Sequence, residues 1–244
     1  VSYEFQSKLG NFLGKNTYRA FLVFNGVLGP VLLGTAVGTF FHGANFVVNK
    51  DVMGESIAPA ISQWANAWHG LDAVANPWNV VLGLVVFFLA RILGDLYLNN
   101  NIDDEQLVPR LRRQLLMDTV AFLILFLSFV VHLLLMKGWA VDPTTGFVSL
   151  EEYKYLHNFL ALPIVLVIFL TGVLLVLAGI IKTLLCATFK RGIWSTGVGA
   201  VLAVWALLMI AGYNHTAYYP SLADPQSSLT LANSCSSEFT LTAM

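Results

Sequence analysis

Charge is what this chain has least of. Of its 244 residues only 11% are Asp, Glu, Lys or Arg, against 57% hydrophobic. Soluble domains carry about 25% charged residues, so a mean hydropathy of +0.72 excludes an ordinary soluble domain and points to an integral membrane protein. The formal net charge is −1 and the basic residues are spread over short loops, which leaves no patch for a nucleic-acid partner. Cysteine is scarce too. Cys186 and Cys235 are far apart and are expected on opposite sides of the membrane, so no disulfide between them is expected. There is no strand-like alternation, no internal repeat, no P-loop, no Gly-x-Ser-x-Gly and no dinucleotide fingerprint. No His, Cys or Glu grouping has zinc or di-iron spacing. A cleavable leader is also not visible: the chain opens on the polar Val1-Ser2-Tyr3-Glu4 and stops at Thr240-Leu241-Thr242-Ala243-Met244, as if another apolar segment were starting. The expectation is a fragment of a longer subunit.

What is there is apolar length. Runs at about 20–42, 77–98, 115–136, 156–181 and 193–213 are each long enough to cross a hydrocarbon core at about 1.5 Å per residue. They predict an all-α, polytopic transmembrane helical bundle of about five spans, one membrane domain over residues 1–244. The first run carries Gly26, Gly29, Pro30, Gly34 and Gly38; the Gly34-x-x-x-Gly38 spacing suits a packing face against a neighbouring helix, and Pro30 should bend it. The second opens with Asn76-Pro77-Trp78, Pro77 standing where a first helical turn tolerates a missing N–H. In the fourth, Pro163 falls near the start, where a helix accepts it.

Between the first two runs, Ile57, Ile61, Trp64, Trp68 and Leu71 recur at helical spacing. They suggest a short amphipathic helix at the interface or over the bundle end. Lys and Arg set the orientation. One side receives Lys8, Lys15, Arg19, Arg110, Arg112, Arg113, Lys182, Lys190 and Arg191; the other receives Lys50, Lys137 and Lys154. Residues 1–19 are therefore expected in the cytoplasm and 214–244 outside it.

Few residues carry chemistry. Arg91 and Asp95 are four apart on one helical face and can pair, while Asp118 and Asn25 are further polar groups within spans. Such groups are costly in a membrane and either guide protons or seat one helix against another. Of five histidines, His42, His69, His157 and His215 fall at span ends or in outer loops. His132 lies within a span without an obvious partner at its depth. A haem shared between His42 and His132 or His157 stays open as an alternative. So does half of a transporter, motivated by the Gly- and Pro-rich first run.

Several segments carry a resemblance. Phe24-Asn25-Gly26-Val27-Leu28-Gly29-Pro30 through Gly38 resembles the fourth helix of subunit II of the cytochrome bd ubiquinol oxidases. Asn76-Pro77-Trp78-Asn79 is similar to the entry to that family's fifth helix, and Arg91-x-x-Gly94-Asp95-x-Tyr97-Leu98 to its ending. Tyr219-Pro220-Ser221, Ser227-Ser228-Leu229-Thr230 and Ser236-Ser237-x-x-x-Thr240-Leu241 are similar to the polar stretch before the family's last helix. The residues around His215-Thr216-Ala217-Tyr218 depart from the pattern, and 43–76 does not align closely. On this resemblance the chain holds roughly the fourth to eighth helices. The resemblance implies a non-haem-ligating subunit of a non-pumping quinol:O₂ oxidoreductase in the bacterial inner membrane, reducing O₂ to water. Haems b and d would sit in a haem-carrying subunit I. This chain would ligate no cofactor itself, would pack against lipid and subunit I, could hold a structural quinone, and would have no activity alone. Arg91, Asp95 and Asp118 are then the candidate proton-path or helix-packing residues.

Overall fold

The computed structural model describes residues 2–5, 13–48, 62–186 and 188–230. Its elements run in the order α1 (Ser2–Phe5), α2 (Lys15–His42), β1 (Phe46–Val48), β2 (Ser62–Trp64), α3 (Pro77–Asn101), α4 (Leu107–Leu135), β3 (Gly138–Val141), β4 (Val148–Glu151), α5 (Lys154–Ala161), α6 (Pro163–Leu185) and α7 (Gly192–Gly212). The described residues are all-α apart from two antiparallel two-stranded ribbons. Among them five helices, α2, α3, α4, α6 and α7, are long and apolar enough to cross a membrane. The shortest has 21 residues, which reaches about 30 Å at 1.5 Å per residue.

Local chemistry explains where helices begin. At α3, Asn76 Oδ1 accepts the Trp78 N–H at 3.0 Å and Pro77 takes the first-turn position, so two otherwise orphaned donors are dealt with. Pro163 acts differently from the expectation of one span over 156–181. Its ring disfavours helical backbone at Leu162, which sits at φ −120° and ψ 73°. The segment therefore splits into α5 and α6, and α6 makes the crossing alone, reaching Leu185. Pro30 lies inside α2, which continues through it.

The amphipathic helix expected over Ile57 to Leu71 is not what the described part of that segment forms. Ile57 and Ile61 lie outside the described residues. Ser62–Trp64 pairs with Phe46–Val48 as β1–β2, Gly70 turns the chain at φ 87°, and Leu71–Ala75 forms one 3-10 turn. Strand pairing satisfies the backbone of Phe46–Val48, which helical spacing alone could not foresee. Asp72 locks the turn, accepting from the Asn45 amide and from Asn66 Nδ2 at 2.9 Å. Burial alone would raise its carboxyl, but the two amides prevail and hold it below the usual carboxylate range.

Two seams bring helix backbones together. A Cβ placed on Gly34 of α2 would lie 2.7 Å from Gly83 Cα of α3, and one on Gly38 would lie 2.6 Å from Asn79 Oδ1. The expected Gly34-x-x-x-Gly38 face is thus turned onto α3. The α6–α7 seam is as close: a Cβ on Gly199 would fall 2.5 Å from the Gly172 carbonyl oxygen.

The loops gather at two ends. At one, Arg112 Nη2 donates to the Cys186 carbonyl at 2.6 Å, Asn99 Nδ2 reaches the Phe189 carbonyl at 3.4 Å, and Lys190 pairs with Asp103. Cys186 is a free, exposed thiol there, and Cys235 lies outside the described residues. At the other end, residues 213–230 fold over β1 and β3. Ser221, Ser227 and Ser228 are buried. The Ser221 N–H donates to Ser228 Oγ at 2.9 Å, the Ser227 hydroxyl reaches the Val48 carbonyl at 3.4 Å, and Tyr219 and Leu229 exchange backbone bonds. The Pro-Ser and Ser-Ser-Leu signatures are therefore a clasp. Their continuation, Ser236-Ser237 and Thr240-Leu241, lies outside the described residues.

Asn158 ties α5 to the last turn of α7. It is fully buried, and its Nδ2 donates to the Ile210 carbonyl and to Thr216 Oγ1, each at 2.8 Å. Ile210 is among the last carbonyls of α7, which have no partner within the helix. Asn158→Leu leaves that carbonyl buried and unpaired, at a cost of about 2 kcal/mol. Thermal unfolding of the purified protein in detergent should show the loss; an unchanged melting temperature would remove the clasp from the account.

Candidate functional site

Three polar residues expected to matter come together between α3 and α4, with different pairing from that expected. Arg91 and Asp95 stand one turn apart on α3. The antiparallel α4 brings Asp118 between them, and the ion pair runs from Arg91 Nε to Asp118 Oδ2 at 2.9 Å. Arg91 therefore bonds across helices to Asp118, rather than along its own helix to Asp95. Gln114, one turn before Asp118, donates Nε2 to Asp118 Oδ1 at 3.1 Å. Both oxygens of a buried carboxylate are thus satisfied, which a membrane interior demands. The Arg91 guanidinium also lies 5.7 Å above the Phe87 ring.

Asp95 completes the cluster from its edge. Its Oδ2 is buried without a hydrogen-bond partner, while the guanidinium and the Gln114 amide both bond to Asp118. Asn25 does not join the cluster; it is exposed on α2, as are Gly26 and Gly29.

A second constellation lies at the opposite end of α3 and α4, where α2 joins them. His132 of α4 does have a partner at its depth: His42, the last residue of α2. Their Nε2 atoms are 3.1 Å apart and their rings are inclined by 13°. His42 Nδ1 lies 3.1 Å from the Gly38 carbonyl, and Trp78 of α3 stacks on His132 with centroids 3.8 Å apart. His157 instead reaches Glu151 Oε1 at 3.0 Å. Two axial imidazoles on a haem iron would stand about 4 Å apart, two metal–nitrogen bonds of about 2 Å end to end, with a porphyrin between them. Rings already in hydrogen-bond contact leave no such gap, so His42 and His132 do not fit a shared haem. Among the described residues, no group of three or more His, Cys, Asp or Glu is placed to hold a metal ion.

Sequence spacing could not reveal Gln114 or the His42–His132 contact, which bridges 90 residues. Only the i,i+4 relation of Gln114 to Asp118 was open to inspection.

A bundle of five apolar helices, with its acid–base groups spent between neighbouring helices, defines a multi-pass membrane protein. The family model for cytochrome bd terminal oxidase subunit II matches residues 1–244, and the chain belongs to that family. No curated protein matches it. The family places the chain in an oxidase complex with other subunits, ahead of the transporter and lone-cytochrome readings.

Proposed function

We propose that this chain is a non-haem-ligating subunit of a quinol-oxidising complex that reduces O₂ to water, supporting a haem-carrying subunit I that holds haems b and d. On this reading it lies in the bacterial inner membrane with residues 1–19 cytoplasmic and 214–244 periplasmic, and has no activity alone. Beyond the family, the supporting observation is the first half of α2. From Phe21 to Gly29 nearly every residue is exposed, including Asn25 and two glycines with nothing near them. A membrane helix with a lone amide and bare glycines needs further helices against it, and an assembly supplies them. Purification of the intact assembly should bring down a haem-bearing partner; a stable, monodisperse chain without one would overturn the reading.

Within that role, Arg91, Asp95 and Asp118 seat α4 on α3. The unpartnered Asp95 Oδ2 beside Asp118 favours a second reading, in which the two acids hand a proton along. Asp95→Asn separates them, since it keeps the side chain's size and polarity but cannot carry the proton. Under the seating role the assembled complex keeps its turnover; a tenfold fall with normal assembly would establish the proton role instead. A groove of about 680 Å³ beside α2, lined by Leu32, Val37, Phe40, Trp64, Val74 and Tyr219, has the apolar character that a structural quinone's tail or a lipid chain requires.

A further inference from the structure

We propose that His42 and His132 form a binding site for a divalent transition-metal ion such as Zn²⁺ or Cu²⁺, held at the α2–α4 end by both Nε2 atoms and completed by water. The argument starts from the separation. Two imidazole nitrogens bound side by side on a tetrahedral ion, with metal–nitrogen bonds of 2.0–2.1 Å, stand roughly 3.3 Å apart. The observed 3.1 Å is within a few tenths of an ångström of that distance, and well short of the spacing that opposed axial ligands need. With ring centroids 5.3 Å apart, the imidazoles face one another almost end to end. Turning each ring by roughly 35–40° off the line joining the two nitrogens aims both lone pairs at one ion beside that line.

The surroundings prepare His42 as a ligand. Its Nδ1 faces the Gly38 carbonyl at 3.1 Å. A backbone acceptor on one nitrogen fixes the proton there and leaves Nε2 bare, as metal-binding histidines usually are arranged. His132 donates its Nε2–H to that bare nitrogen in the metal-free protein. On binding, His132 takes its other neutral tautomer, with the proton on Nδ1, so neither ring need lose charge. Trp78, stacked on His132 at 3° and 3.8 Å, holds the ring plane. Three helices therefore position two ligands. Both rings are only half-buried, which leaves water access to fill the remaining coordination positions.

The site is independent of the quinol-oxidase reading, and its test does not use turnover. The purified protein, with whatever subunits accompany it, is titrated with Zn²⁺ against a chromophoric chelator in millimolar Mg²⁺. One site per chain is expected, weakened at least tenfold by His42→Gln and by His132→Gln. Cu²⁺ bound to the unaltered protein should show hyperfine coupling to two nitrogens in its electron paramagnetic resonance spectrum. His132→Cys should bind Co²⁺ with a sulfur-to-metal charge-transfer band. Affinity unchanged in both Gln variants, or Cu²⁺ bound through oxygen alone in the unaltered protein, would overturn the proposal. The Cu²⁺ spectrum decides even where a variant fails to fold.

Discussion

Asp118→Leu sharply lowers the folded fraction of the purified protein, because it strands the Arg91 guanidinium against α4. Removing one partner of a buried ion pair costs about 3–5 kcal/mol. The Arg91 side chain is 42% exposed, so solvent or lipid headgroups relieve part of this, and about 2 kcal/mol remains. That is about thirtyfold in the ratio of folded to unfolded protein. Gln114 adds to the loss, since its Nε2 loses Asp118 Oδ1 as acceptor. The double variant Arg91→Met with Asp118→Leu should recover most of the stability, because apolar side chains of similar size replace both charges at once. The cycle of single and double variants isolates the pair's coupling. It is measured by thermal or denaturant unfolding in detergent. Additive losses would mean that Arg91 and Asp118 act separately, and the interhelical seat would be wrong.

That pair shows how far the sequence could be read. The spans were legible because an apolar run of twenty residues has few other uses, and Asn76-Pro77 marks the start of α3 by chemistry local to three residues. The break at Leu162–Pro163 is legible in the sequence, because a proline that suits a helix start also disfavours helical backbone at the residue before it. The segment around Trp64 misled because its apolar spacing suits a helix, whereas its backbone pairs with Phe46–Val48 across a stretch no local pattern spans. At the candidate site, the i,i+4 spacing placed Arg91 and Asp95 on one face correctly. Which acid the guanidinium takes depends on the depth at which α4 crosses α3, and that is set by packing along the whole seam. His42 and His132 carry no shared motif at all; their contact is a consequence of two helix ends meeting.

The α6–α7 seam is where one added methyl group should do the most harm. Lipid offers no hydrophobic drive between helices, so close backbone contact and dispersion must hold this pair together. Gly199 faces the backbone of α6: a Cβ there would lie 2.5 Å from the Gly172 carbonyl oxygen and 2.7 Å from the Val176 nitrogen. Neither atom can rotate aside as a side-chain end could. Gly199→Ala therefore pushes the helices apart along the crossing, losing contacts that include the Thr196 hydroxyl on the Val176 carbonyl. Overpacking of this kind costs about 1–3 kcal/mol, and Gly199→Val should cost more. Gly197, on the same helix with nothing within 4 Å, is the matched control; Gly197→Ala should be neutral or stabilising by up to about 1 kcal/mol through helix propensity. Gly172→Ala lies on the same seam and should add little to Gly199→Ala, because the first substitution has already opened the gap the second would need. Melting temperatures of the four single variants and of the Gly172→Ala/Gly199→Ala double variant in one detergent test this directly. Equal losses from Gly197→Ala and Gly199→Ala would show that backbone flexibility, rather than close approach, is why glycine stands at these positions.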